Sequence, residues 1–354
     1  MKSNLKFFKK SKKLPIDKFF MNVLYDNKFG YYASNQPFGL KGDFTTAPKI
    51  SILFSEIIAI WFISVWEKLD KPEKLNIIEL GPGDGSLTRV LLRTFKKFPE
   101  FNTAKKIYLY EESSYLKKIQ KKTIDSKDIK WIRSFDKIKD GPVIFFGNEF
   151  FDAIPIKQFK KIRNIIFEKN YRIDANYKIK ETYEKASKKD VKTIESYNTF
   201  KNLNFIEVPD LGLKELKKIV KKISNLQGCL LMIDYGYLKS HNKDTLQSVM
   251  KHKKNSLLSN LGKADITAHV NFDLLGEYFL KNGLRVHNII NKKKFLEKMG
   301  IFERATIISK KMRFSEKSDL YYRIKRLTNP NSMGNLFKVI LAYNFKDNNF
   351  AGFN

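Results

Sequence analysis

Two groups of residues have types and spacings that could do chemistry. Glu79 stands two residues ahead of Gly81, Gly83 and Gly85, and Asn148, Glu149 and Asp152 set an amide and two carboxylates within one short stretch. Glycines in such a turn let the backbone approach a ligand closely, and a following helix would offer unpaired N–H groups and a positive dipole end. The turn therefore reads as a cofactor cradle. Carboxylates are costly to bury without partners. Paired acids suit a guanidinium, whose planar fork they can orient bidentately while it sheds a proton on reacting.

The elements that must position these groups follow from the pattern around them. Asn76 to Leu80 is a short apolar strand, and Leu87, Val90, Leu91, Phe95 and Phe98 mark one face of a helix after the turn. Ile107 to Tyr110 is the next strand, ending in Glu111. Ile129 to Ile132 is a third, and Val143 to Phe146 a fourth that runs into Asn148. Leu230 to Ile233 is a fifth, leading to Asp234, which could face the site or cap the following turn. Strands alternating with helices predict an α/β doubly wound sheet, with reactive groups beyond the carboxyl ends of the strands. The glycine spacing departs from the G-x-G-x-x-G of dinucleotide sites. An apolar strand, an acid and then G-x-G-x-G is similar to the first motif of class I S-adenosylmethionine (SAM) methyltransferases, in which a strand-end acid such as Glu111 would hold the ribose. Amide-methylating nucleic-acid enzymes carry Asn/Asp-Pro-Pro-aromatic after the fourth strand. No Pro-Pro stands there in this chain.

The length of 354 residues suits one large α/β domain with additions, or two domains. A net charge of +31 raises the question of a nucleic-acid partner. Only ten of the basic residues are arginines, however, and the lysines are spread along the chain, which fits a solvated surface better than a phosphate-binding patch. The single cysteine, Cys229, excludes an internal disulfide and suits a reducing compartment. The apolar run Ile50 to Trp66, interrupted by Glu56, is too short for a membrane span and predicts a buried helix. A first helix is expected over Lys13 to Tyr25. The loop Gly42-Asp43-Phe44-Thr45-Thr46-Ala47-Pro48 reads either as turn and cap chemistry or as a lid over the cofactor. Asp265, Thr267 and His269 do not make a metal site by composition, since the chain has four histidines and no acid-rich cluster nearby. No metal is expected. Near the C-terminus RATIISKK and LFKVILAYN read as two β-rich runs.

Several blocks together resemble the MidA-like SAM-dependent methyltransferase family, whose mitochondrial members are complex I assembly factors. They are FGYYASNQPFGLKGDFTTAPKISILFSEIIAIW, IIELGPGDGSL, YEESSYLKKIQ, GNEFFDAIPIKQF, LLMIDYGY, GKADITAHVNFDLL and MGNLFKVI. The resemblance implies a class I, Rossmann-like fold: a mostly parallel seven-stranded sheet with an N-terminal helical addition over residues 1–72, a core over 73–354 and a charged insertion at about 160–205, expected as surface strands and turns. It also implies SAM as cofactor and arginine methylation of a partner protein such as an NADH dehydrogenase (complex I) subunit. Glu79, Gly81, Gly83, Gly85 and Glu111 are then expected at the cofactor and Asn148, Glu149 and Asp152 at the reacting groups. Gly42, Asp43, Thr45, Thr46, Glu56 and Asp234 are expected at the substrate or lid. Ser55 replaces the family's usual glycine, and Lys292 stands near an expected glutamine. The compartment would be the cytoplasm in a bacterium or the mitochondrial matrix in a eukaryote. A non-catalytic SAM-binding assembly factor, a nucleic-acid methyltransferase and an NAD-dependent enzyme, which the glycine spacing disfavours, are the rival readings.

Overall fold

The computed structural model describes residues 2–9, 11–34 and 47–354. The expected lid residues Gly42, Asp43, Thr45 and Thr46 lie outside the described residues. The chain divides into two compact units, each built from three segments of sequence. One is Thr45–Phe150, Lys218–Gly236 and Phe279–Asn354. The other is Met1–Phe44, Phe151–Lys217 and Tyr237–Tyr278. The division departs from the sequence reading, because the helix Ile52–Lys68, expected with the N-terminal addition, belongs to the unit that carries the glycine turn.

That unit is organised on a sheet whose main path runs through β1 (Leu75–Leu80), β2 (Lys105–Tyr110), β3 (Ile129–Ile132), β4 (Val143–Asn148), β5 (Gly228–Tyr237), β6 (Arg285–Val286) and β7 (Phe337–Tyr343), with the short strand Ile290–Asn291 paired to β7 off that path. Their order across the sheet is β6-β7-β5-β4-β1-β2-β3. The pairs β5–β4, β4–β1, β1–β2 and β2–β3 are parallel, whereas β7 runs antiparallel to β5 and β6. The chain leaves β1 toward β2 and β3, then returns to the other side of β1 for β4, so β1 and β4 flank the point where the strand order reverses. All six residues of β1 are buried, as a parallel strand covered on both faces requires, and apolar side chains predominate, with Asn76 and Glu79 the exceptions.

Helix α1 (Ile52–Lys68) is buried around most of its circumference, and Ser51 caps it by accepting the Leu53 N–H at 3.2 Å. Its Phe62 meets Phe146 of β4 edge-on at 5.7 Å and Phe95 at 6.2 Å. Phe95 ends α2 (Ser86–Phe95), the helix after the glycine turn, so these rings tie α1 to both site-bearing elements. Burial of one such side chain contributes about 1.5–3 kcal/mol.

One expectation fails in this unit. RATIISKK is not a strand: Ile301–Ser309 is a helix, started by Gly300 in the left-handed region (φ 77°). Ile301, Ala305 and Ser309 are its buried residues, and their four-residue spacing lets helical packing override the β preference of the Thr-Ile-Ile run. The antiparallel partners of β7 come instead from Arg285–Val286 and Ile290–Asn291.

The other unit holds an antiparallel sheet. Its hub is Ile165–Ile173, which pairs with Lys13–Pro15, Lys157–Ile162 and Ile179–Lys185, while Phe205–Val208 pairs with Lys157–Ile162. The helix expected from Lys13 begins at Ile16, because Lys13–Pro15 joins this sheet. Phe19 and Phe20 of that helix pack edge-on against Tyr171 at 5.1 and 5.7 Å. The charged stretch read as a surface insertion therefore supplies core residues, Tyr171 and Phe200 among them. No described helix is long and apolar enough to cross a membrane.

Candidate active site

Because β1, β2 and β4 are parallel and in register, Leu80 lies beside Tyr110 on one side and Gly147 on the other. The glycine turn, Glu111 and the Asn148-Glu149 pair therefore emerge at one edge of the sheet. This is where ligands bind in open α/β sheets.

Gly81, Gly83 and Gly85 all have positive φ, at 62°, 57° and 82°. A Cβ on Gly81 would stand 2.7 Å from Cδ2 of Phe150, so the Phe150 ring packs directly on the turn. The Gly81 N–H donates to the Tyr110 carbonyl at 3.1 Å, and the Gly85 N–H to that of Pro82 at 2.9 Å. Asp84 pins the turn's end: its carboxylate accepts from the Ser86 N–H and hydroxyl at 3.1 and 2.7 Å and pairs with Lys49 at 2.7 Å. Glu79 is buried and accepts a hydrogen bond from the Thr88 hydroxyl of α2, clamping the two sides of the turn. Burial pushes the Glu79 carboxyl up to about 7, opposed by the Thr88 bond.

Glu111 follows β2. One of its oxygens accepts from the Ser113 N–H at 2.8 Å and the other from Gln120 Nε2 at 2.9 Å. Gln120 is on the buried face of α3 (Ser114–Ile124), together with Leu116 and Ile124. The same Nε2 also donates to the Gly83 carbonyl at 2.8 Å, and its Oε1 accepts from Trp131 Nε1 at 2.8 Å. Burial raises the Glu111 pKa, against the Ser113 and Gln120 bonds.

Beyond β4, Glu149 has φ 54°, which is uncommon for a residue with a side chain and is tolerated where the surroundings hold it. Its N–H donates to the Ile233 carbonyl at 2.9 Å. Its Oε1 accepts from Asn148 Nδ2 at 3.2 Å and the Ala47 N–H at 3.3 Å. Burial raises the Glu149 pKa, and the nearby charge of Lys292 opposes the rise. Asp234 is buried within β5, which continues past the expected end at Ile233, and accepts from the Tyr235 N–H. Glu56 accepts from Arg304 at 3.1 Å and pairs with Arg93 at 3.5 Å. Asp152 belongs to the other compact unit, where it is buried and its carbonyl accepts from the Ala268 N–H at 3.0 Å.

Sequence reasoning passed over Gln120, Thr88 and Lys49 as contributors. Gln120 had a signal, a polar residue on an otherwise apolar helix face. Thr88 and Lys49 had none, since their partners are fixed only by the fold.

The residues fit SAM on this structure's own terms. The cradle at Gly81 has no room for a Cβ, and each oxygen of Glu111 accepts one hydrogen bond, leaving acceptor capacity for a ribose diol. Residues 57–290 match the model of a family described as "Putative S-adenosyl-L-methionine-dependent methyltransferase". The chain is 27% identical over 350 residues to the mitochondrial protein arginine methyltransferase NDUFAF7 of Xenopus laevis, covering 92% of this chain and 80% of that protein. It is 28% identical over 351 residues to the Homo sapiens protein of the same name, covering 92% and 78%. A Burkholderia thailandensis protein crystallised with S-adenosyl-homocysteine shares the fold with a TM-score of 0.82 at 22% identity, covering 99% of this chain and 93% of that one. With the family model spanning most of the chain and the turn, the strand-end acid and the sheet order in place, the chain belongs to the MidA-like family of SAM-dependent methyltransferases.

Proposed function

We propose that this methyltransferase acts on an arginine side chain of a partner protein. The observation that carries the reading is Glu149: a carboxylate held in a left-handed backbone at the same sheet edge as the glycine turn and Glu111. The names of the relatives support it.

SAM supplies an electrophilic methyl on a sulfonium. Gly81, Gly83 and Gly85 would take its methionine end, with Glu79 fixing the turn through Thr88, and Glu111 would take the ribose. Bound there, it would supply its methyl group to a guanidino nitrogen of the substrate, which would give up one proton in exchange. Glu149 would orient the guanidinium and favour that loss, Asn148 would hold Glu149, and Asp152 is proposed as the second acid. Gly42, Asp43, Thr45, Thr46, Glu56 and Asp234 are retained as substrate or lid candidates. In-line positioning supplies most of the rate, since methyl transfer from a sulfonium needs little acid catalysis. A complex I subunit is the proposed substrate in a eukaryote, with the mitochondrial matrix as compartment; a bacterial chain would act in the cytoplasm.

The test is transfer of radiolabelled methyl from SAM into a lysate lacking this protein, with Glu149→Ala beside the wild type. Protease-sensitive label in methylarginine, absent with the variant, supports the reading. Label in nucleic acid overturns it. Tight SAM binding without label in a competent lysate would point to a non-catalytic assembly factor.

A further inference from the structure

Lys292 opens the helix α4 (Lys292–Lys298), capped by Asn291, and is 0% exposed. A lysine is almost never fully buried without a partner. Among the described residues its Nζ nonetheless has no hydrogen-bond partner, and it stands 3.7 Å from the centroid of the Phe337 ring, on β7. Asn291 pairs with Lys338, Lys338 with Asp234, and the neighbouring Ile233 with Asn148, so one row of the sheet runs from the start of this helix to Glu149, whose charge acts on Lys292 and feels its charge in turn. Four cations on the neighbouring elements are engaged elsewhere: Lys49 by Asp84, Arg304 by Glu56, Arg323 by Asp319 and the Ile50 carbonyl, and Lys338 by the carbonyls of Asn335 and Leu336. Asp234, on β5, is buried and accepts from the Tyr235 N–H.

We propose that Lys292 is a positioning residue of the transfer reaction: its buried ammonium, standing on the Phe337 ring, holds the Glu149 carboxylate ionised for the incoming guanidinium. The proposal rests on Glu149 being the guanidinium's partner. Among the described residues no direct ion pair joins Lys292 to Glu149, whose Oε1 is held by Asn148 and the Ala47 N–H, so the ammonium acts on the carboxylate through its field in a water-poor surrounding, where charges couple strongly. Burial already lowers the pKa of Lys292. A guanidinium docking at Glu149 brings a second positive charge toward Lys292, and an arginine at this position, permanently charged, would oppose it more than a lysine whose charge burial already disfavours.

Two measurements on the full-length protein separate this proposal from the reading beneath it. The first is a carbon-13 NMR titration of the Glu149 carboxyl in glutamate-labelled protein, assigned with Glu149→Gln, in wild type and Lys292→Gln. The second is the pH profile of methyl incorporation into the labelled lysate band. Lys292→Gln should raise the Glu149 titration by about one pH unit or more and move the acid limb of kcat/KM with it, a loss of roughly tenfold below the limb that is recovered at high pH. Lys292→Arg should keep the limb in place but raise KM. S-adenosyl-homocysteine binding should stay within about twofold, which verifies the fold; Lys292→Met is the second variant if glutamine does not fold. An unmoved Glu149 titration overturns the proposal. A moved titration with an unmoved acid limb overturns Glu149 as the guanidinium's partner, and with it the part given to Lys292.

Discussion

Gln120 reaches from the face of one helix to the Gly83 carbonyl at 2.8 Å, and its same nitrogen holds Glu111 at 2.9 Å. One buried amide thus fixes the distance between the turn and the acid that are proposed to hold the two parts of the cofactor. Gln120→Leu keeps the volume and removes the bridge. Hydrogen bonds to charged groups contribute about 1.5–3 kcal/mol, so affinity for S-adenosyl-homocysteine should fall about tenfold or more by calorimetry. An affinity within twofold of wild type would show that turn and acid are spaced without it.

Gly81→Ala places a methyl against the Phe150 ring in a backbone that costs an alanine roughly 1–2 kcal/mol. Denaturant unfolding should show a loss of at least that size, with weakened cofactor binding. Adding Phe150→Ala removes the clash but leaves the positive φ. The double variant should therefore regain cofactor binding relative to Gly81→Ala only in part; full recovery would mean the backbone geometry is unimportant.

Glu79 gives the chain a pH signature. Its carboxyl is raised from 4.5 to about 7, chiefly by burial, so the folded chain holds this proton more tightly than the unfolded one. Its effect on stability is most favourable below about pH 4.5, declines as pH rises through 4.5 to 7, and is flat above. The whole excursion is about 3 kcal/mol. Thermal unfolding of wild type and Glu79→Gln across this window should show wild type losing ground to the variant as pH rises. A constant difference would mean that Glu79 titrates normally.

Glu56 sits between Arg304 and Arg93, and Glu56→Gln should cost up to about 1 kcal/mol of stability. If the ion pairs are its main work, KM for the protein substrate stays unchanged. A several-fold rise in KM at unchanged melting temperature would return Glu56 to the substrate side.

The strands that carry the site were legible because their signals are local. The six buried residues of β1, the glycines with positive φ and the acid ending β2 each declare themselves within a few residues of sequence. The helix Ile301–Ser309 read as a strand because its Thr-Ile-Ile run favours β, and only packing against the core decides the matter. The stretch around Tyr171 read as surface, since its alternating charges hide the few rings that bury. Lys292 was visible as an oddity without a role, because its relation to Glu149 spans more than a hundred residues and exists only once β4 and the start of its helix converge.

Strand β7 is the last strand of the sheet in chain order, yet it lies inside the sheet, between β6 and β5. During synthesis β1 to β5 can pair long before β7 is made, and until then β5 offers an open row of backbone donors and acceptors along Cys229 to Tyr235. Such an edge is a template for pairing with other chains. A nascent or prematurely stopped chain lacking Phe337–Tyr343 should therefore be a client for chaperones and prone to aggregate, even though every residue of the glycine turn and Glu149 would already be present.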